Sequence, residues 1–197
     1  MKGTSHLMSA FTKARTAIAA YGTLGMLALS LGVNVYLGLL VARRQGAPTA
    51  HSMPVGARFP ALTVHDLSGK EIKISWPSSE NKLTVIYLFS PTCIWCQRNI
   101  ENFKAMGTAT RSEYRLVPIS LTSAGLSRYV EKYGVVFPVF ADPVVADGGA
   151  FAYDGTPQTF VISPDGTVKR VWRGAFTKVV KGEVEAYLGI HLPRVIS

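Results

Sequence analysis

The chain has two cysteines, and they stand as one pair, Cys93-Ile94-Trp95-Cys96. Two cysteines exclude both a disulfide framework and a four-cysteine zinc site. The setting of the pair constrains the fold more than its spacing does. Upstream, Leu83–Ser90 is a nearly continuous apolar, β-branched and aromatic run, as expected of a central strand buried on both faces. Ser90-Pro91-Thr92 then reads as a turn, and Cys96 to Met106 as a helix with Ile100 and Phe103 on one face. A strand that turns directly into a helix places Cys93 at the helix start, where unpaired N–H groups and the positive dipole end favour a thiolate. Cys96 lies one turn further in, close enough to close a disulfide on its neighbour. The chemistry this suits is thiol–disulfide exchange: Cys93 attacks a substrate disulfide and Cys96 resolves the mixed disulfide. A structural bridge across one helical turn would constrain little chain. A zinc half-site needs two further ligands, and His51, His65 and His191 are single and widely spaced. Neither a metal nor a cofactor is expected.

The rest of the pattern alternates. Tyr114–Leu121 reads as a second strand and Ala124–Tyr133 as a helix. Val135–Phe140 reads as a short strand whose Pro138 suits an edge or a strand end. Thr159–Ser163 and Thr167–Arg173 flank Pro164-Asp165-Gly166, a hairpin turn. Phe176, Val179, Val180, Val184, Tyr187 and Leu188 form the apolar face of a last helix. This order predicts an α/β fold, a central sheet with helices on both faces. At 197 residues there is room for one such domain and an appendage.

The appendage is at the amino end. From Thr16 to Ala42 no residue is charged, and Arg15 and Arg43 bound the run. A helix of that length is about 40 Å long, against a hydrocarbon core of about 30 Å. A cleaved leader is the competing reading, but its apolar core is shorter, and Pro48 spoils the cleavage site that Gly46–Ala50 would offer. The net charge of +9 is concentrated here: residues 1–44 carry five Lys/Arg and no acid, and the remainder carries 16 Lys/Arg against 12 Asp/Glu. Basic residues around an apolar run point to a membrane, with a slight bias to a cytoplasmic amino end. No basic run with interleaved aromatics follows, so no nucleic-acid partner is expected. The organisation read is residues 1–15 cytoplasmic, 16–42 a single transmembrane helix, 43–54 a Pro/Gly linker, and 55–197 the α/β domain.

Several motifs in order resemble one family. Val55-Gly56-Ala57-Arg58-Phe59-Pro60-Ala61 with Asp66–Lys70 is similar to its entry hairpin. Cys93–Cys96 is similar to its active site, and Tyr133–Val139 with Asp142 to a segment before the last part of its sheet. Gly155-Thr156-Pro157-Gln158 with Pro164-Asp165-Gly166 is similar to its cis-proline loop and hairpin. These residues resemble the thioredoxin-fold, membrane-tethered disulfide reductases of the TlpA/ResA type. The resemblance implies a thioredoxin fold with a mixed sheet, Cys93 and Cys96 as the catalytic pair, and a cis Pro157 beside them. It implies that Thr156, Pro157 and an exposed Trp95 contact an extended client. It also implies client proteins with disulfides or thiols as partners, a membrane-embedded electron donor for re-reduction, and an inner-membrane location facing the periplasm or cell exterior. The family commonly has a glutamate where this chain has Asn99, and thioredoxins proper have a buried aspartate where it has Tyr87, so the usual acid–base group is missing. A thiol peroxidase of the redoxin superfamily is the alternative enzyme, although Pro91 and Thr92 directly abut Cys93 instead of taking that class's Pro-xxx-Thr-xx-Cys spacing. A non-enzymatic partner-binding module is the alternative from another class.

Overall fold

The computed structural model describes residues 25–39, 53–109, 114–149, 151 and 153–196. The chain divides into two units, residues 1–49 and 50–197. In the first, residues 25–39 form helix α1, whose side chains are exposed. Among the described residues no helix is long and apolar enough to cross a membrane. The expected segment 1–15, both ends of the apolar run at 16–24 and 40–42, and linker residues 43–52 lie outside the described residues.

The second unit is built on one mixed sheet of seven strands. β1 is Leu62–His65, β2 Glu71–Ile74, β3 Leu83–Phe89, β4 Tyr114–Ser120, β5 Phe140–Val145, β6 Gln158–Ile162 and β7 Val168–Arg173, in the spatial order β2-β1-β5-β4-β3-β6-β7. β3, β4 and β5 run parallel, while β1 with β5, β3 with β6 and β6 with β7 pair antiparallel. The helices are α2 Ile94–Arg98, α3 Ile100–Thr108, α4 Leu126–Tyr133 and α5 Lys178–Leu188. Central β3 is buried through Thr84–Phe89, and its alternate residues feed two cores. Val85, Tyr87 and Phe89 pack with Phe103 of α3, Tyr129 of α4 and Val184 of α5. Ile86 and Leu88 pack with Phe59, Leu62, Phe160 and Val168.

Three expectations are corrected. First, the helices do not cover both faces. The buried residues of α2 through α5 all belong to the first core, and the second is closed by Met53, Phe59, Trp76, Phe151 and Tyr153 from outside the helices. The steps from β3 to β4 and from β4 to β5 go in the same direction across the sheet, so right-handed crossovers set α3 and α4 on one side. Second, the strand read at Val135–Phe140 begins only at Phe140. Val135 is used to end α4: Gly134 takes a left-handed conformation, and the Val135 N–H bonds back to the Val130 carbonyl at 3.0 Å. Val136 is then 83% exposed. The real strand carries Pro143, tolerated because β5 is bulged there against β1, with Asp142 at φ 53°. Third, the helix read from Cys96 to Met106 starts at Ile94 and is two helices. Asn99, at φ −85° and ψ 4°, bends the chain between α2 and α3 while the Phe103 N–H still reaches its carbonyl at 3.0 Å.

Candidate active site

β3 ends at Phe89, and a turn closed by the Cys93 N–H on the Ser90 carbonyl at 3.1 Å leads into α2. Cys93 is the N-cap of that helix. Its extended backbone (φ −74°, ψ 115°) turns the thiol back over the first turn, where Sγ accepts the Cys96 N–H at 3.2 Å. A sulfur so placed is held by a donor that strengthens as it gains negative charge. The turn is braced by Gln97, whose side-chain amide donates to the Pro91 carbonyl at 3.0 Å, and by a 3.1 Å contact between the Ser90 and Thr92 hydroxyls.

The two thiols are free and differ in environment. Cys93 is partly exposed and Cys96 fully buried. Burial, and then the neighbouring Cys93, push the Cys96 thiol well above its ordinary value. The loop between residues 153 and 158 supplies the opposite wall. The Thr156–Pro157 bond is cis, and the Cys93 thiol donates to the Thr156 carbonyl at 3.2 Å. Pro157 is buried and Thr156 half-buried. Ile94 and Trp95 stand out from α2, 55% and 46% exposed, and the Arg98 guanidinium lies 4.9 Å over the Trp95 ring. Cys93, Cys96 and Thr156 are thus brought together, and Trp95 projects from the same short helix.

Behind the pair, Tyr87 and Asn99 meet. These are the two positions at which a buried carboxylate is absent from the sequence. Asn99 is fully buried; its amide donates to the Tyr87 hydroxyl at 3.1 Å, and its carbonyl oxygen accepts from the Phe176 N–H at 3.2 Å and from Asn102 at 2.9 Å. Asn102 in turn takes the Arg194 N–H and gives to the Arg194 carbonyl, each at 2.9 Å. Sequence reading marked Tyr87 and Asn99 only as departures; it had no signal for Asn102 as their link to the carboxyl-terminal segment. Burial, then the nearby Cys96, raises the Tyr87 phenol well above its usual range. Neither group takes a proton at neutral pH. Tyr129 of α4 is also buried near the pair. Its hydroxyl has no hydrogen-bond partner among the described residues, and burial, then Cys96, raises its phenol. Among the described residues no cluster of three His, Cys, Asp or Glu side chains is placed to hold a metal ion.

The model of the AhpC/TSA family matches residues 55–171. The thiol-disulfide oxidoreductase ResA of Bacillus subtilis is 24% identical over 173 residues, covering 84% of this chain and 89% of that protein. ResA of Geobacillus thermodenitrificans is 21% identical over 156 residues, covering 78% and 84%. In fold, the chain is similar to the thioredoxin domain of a thiol-disulfide oxidoreductase from Bacteroides vulgatus, with a TM-score of 0.53, 16% identity, and 69% and 99% of the two chains covered. A peroxiredoxin-like protein from Aquifex aeolicus gives a TM-score of 0.54 at 16% identity, covering 70% and 90%. The domain has a thioredoxin-like α/β fold.

Proposed function

Because the chain belongs to the AhpC/TSA family, we propose that it is a membrane-tethered thiol–disulfide oxidoreductase that reduces disulfides of extracytoplasmic client proteins. One observation carries this reading: the two thiols of the pair are unlike. Cys93 is accessible, receives a backbone N–H and touches the substrate-facing Thr156 carbonyl, whereas Cys96 is sealed beneath it. That is the division of labour exchange requires, an attacking thiolate outside and a resolving thiol within reach.

The Cys93 thiolate attacks one sulfur of the client disulfide. That S–S bond breaks, and the other client sulfur leaves as a thiolate. Cys96 then loses its proton and attacks Cys93 Sγ, breaking the mixed disulfide and releasing the second client sulfur. Two electrons and two protons have passed to the client, and the protein is left with a Cys93–Cys96 disulfide. Among the described residues no carboxylate acts on Cys96, so the client thiolate released in the first step is the base that the reaction itself supplies. A membrane-embedded dithiol donor then re-reduces the pair. Tethering is supported by the uncharged run from Thr16 to Ala42 between basic flanks.

The test is reduction of insulin disulfides by the reduced full-length protein in detergent. Turnover that Cys93→Ser abolishes supports the proposal. Failure to reduce disulfides, with Cys93-dependent consumption of hydrogen peroxide instead, overturns it in favour of a peroxidase. For topology, alkaline phosphatase fused after residue 60 should be active. An inactive fusion beside an active cytoplasmic reporter at the same point overturns export of the domain.

A further inference from the structure

Four cations of the domain pair with acids, Lys104 with Glu101, Arg115 with Glu80, Arg173 with Asp154 and Lys181 with Glu185, and others, Lys73, Lys82 and Arg170 among them, stand without an ion pair among the described residues. Four exposed cations close to the active-site turn have no such partner among the described residues: Arg98, Arg128, Lys132 and Arg194. They line two depressions that flank α2. One, of about 210 Å³, lies between α4 and the turn entering Cys93; Arg128 and Lys132, one turn apart, face Pro91, Thr92 and Gln97. The other, of about 350 Å³, is lined by Arg98 and Arg194 with Val195 and Ile196. Among the described residues no acidic side chain lines either depression, Glu131 on α4 included.

Like charges gathered without counter-charges repel, and an anionic partner relieves that repulsion. Between the depressions α2 offers Ile94 and Trp95, an apolar platform of a size that suits a polypeptide side chain better than a small anion. We propose that the client segment delivering its disulfide to Cys93 is acidic, with Asp or Glu side chains on either side of its cysteine seated against Arg128 and Lys132 in one depression and Arg98 and Arg194 in the other. This rests on the oxidoreductase reading and adds the substrate class to it. The partner is an acidic protein segment, and complementarity acts mainly on the rate of encounter, so it weakens as salt rises.

Three peptides with the same disulfide loop and acidic, neutral or basic flanks test it, reduced by the full-length protein in neutral detergent. The acidic peptide should be reduced about tenfold faster than the basic one at low ionic strength, with the gap closing in high salt. The double variant Arg128→Glu/Lys132→Glu, which leaves Arg98 and Arg194 to offset two new acids, should abolish most of the preference for the acidic peptide. A control with the same charge change elsewhere, Lys73→Glu/Lys82→Glu, on edge strand β2 and at the far end of β3 from the cysteines, should keep the wild-type order. Equal rates for all three peptides overturn the proposal and leave the oxidoreductase reading standing, whereas no reduction of any peptide overturns that reading as well. If the peptides do not differ but the double variant loses binding to phosphatidylglycerol vesicles, the surface is a membrane contact and the proposal falls.

Discussion

Asn99 donates its side-chain amide to the buried hydroxyl of Tyr87 at 3.1 Å, joining the first residue after α2 to the middle of the central strand. Tyr87 and Asn99 thereby form a mutually satisfied neutral pair. Their role is positional. Through its side-chain carbonyl oxygen Asn99 also accepts the Phe176 N–H ahead of α5 and the Asn102 amide, and Asn102 holds the segment at Arg194.

Asn99→Ala leaves the Phe176 N–H and a Tyr87 hydroxyl unpaired in a dry site. Each unsatisfied buried group costs about 1–3 kcal/mol, so the variant should lose about 3 kcal/mol, read as a lower urea midpoint. Asn99→Asp keeps the shape and accepts from the same neighbours, with Tyr87 now donating. It should fold and add a pH-dependent step to disulfide resolution. Asn99→Glu adds a methylene where there is no room and should be less stable than Asn99→Asp by about 1–3 kcal/mol. Equal stability of the Ala variant and the parent would show that the network holds nothing.

The thiols should be told apart by alkylation. Burial keeps Cys96 protonated through neutral pH, while Cys93 is accessible and held by an N–H donor. Reduced protein treated with iodoacetamide at pH 7 should gain one adduct, mapped to Cys93. Cys96→Ser should accumulate a client mixed disulfide through Cys93, and Cys93→Ser should accumulate none. First labelling at Cys96 would reverse the assignment of roles.

Asp165 should set part of the acid stability of the β6–β7 hairpin. Hydrogen bonds from the Ser163 hydroxyl and from the Thr167 backbone and hydroxyl lower its carboxyl from 3.8 to about 2. A carboxyl depressed in the fold contributes stability that is complete above its unfolded value and is lost as pH falls through the folded one. That loss should therefore fall between about pH 4 and pH 2. Asp165→Asn should be less stable than the parent at pH 6 and should flatten the acid limb, measured by thermal melts from pH 6 to pH 2. Parallel curves for the two proteins would remove the role.

Gly107 is the one glycine of α3, and helix propensity alone favours alanine there by about 1 kcal/mol. A Cβ at this position would overlap the Phe137 ring, which packs edge-on against Phe103 with centroids 5.1 Å apart. Packing should win: Gly107→Ala is expected to cost about 1–3 kcal/mol, and adding Phe137→Leu should recover part of that loss. A gain in melting temperature for Gly107→Ala alone would show that the ring moves aside freely.

Much of this molecule is written locally. The apolar run of β3, the Ser-Pro-Thr turn, the Pro-Asp-Gly hairpin and the opening of a helix at the cysteines are set by neighbours within a few residues, and all are legible in the sequence. So is the placing of Cys93 at the helix start with Cys96 one turn further in. The later start of β5 was not legible. Val135 and Val136 have the composition of a strand, but the left-handed Gly134 draws Val135 into closing α4, and pairing with β1 selects Phe140–Val145 instead. Nor was the covering of one face by all of α2 to α5, which depends on the direction of successive crossovers across the sheet. The contact of Cys93 with Thr156, 63 residues away, was expected only by resemblance, and the bond from Asn99 to Tyr87 was not expected at all. Periodicity encodes which face of an element is apolar. It does not encode which distant polar groups that face will meet, because that depends on strand order, and strand order is decided when the whole sheet assembles.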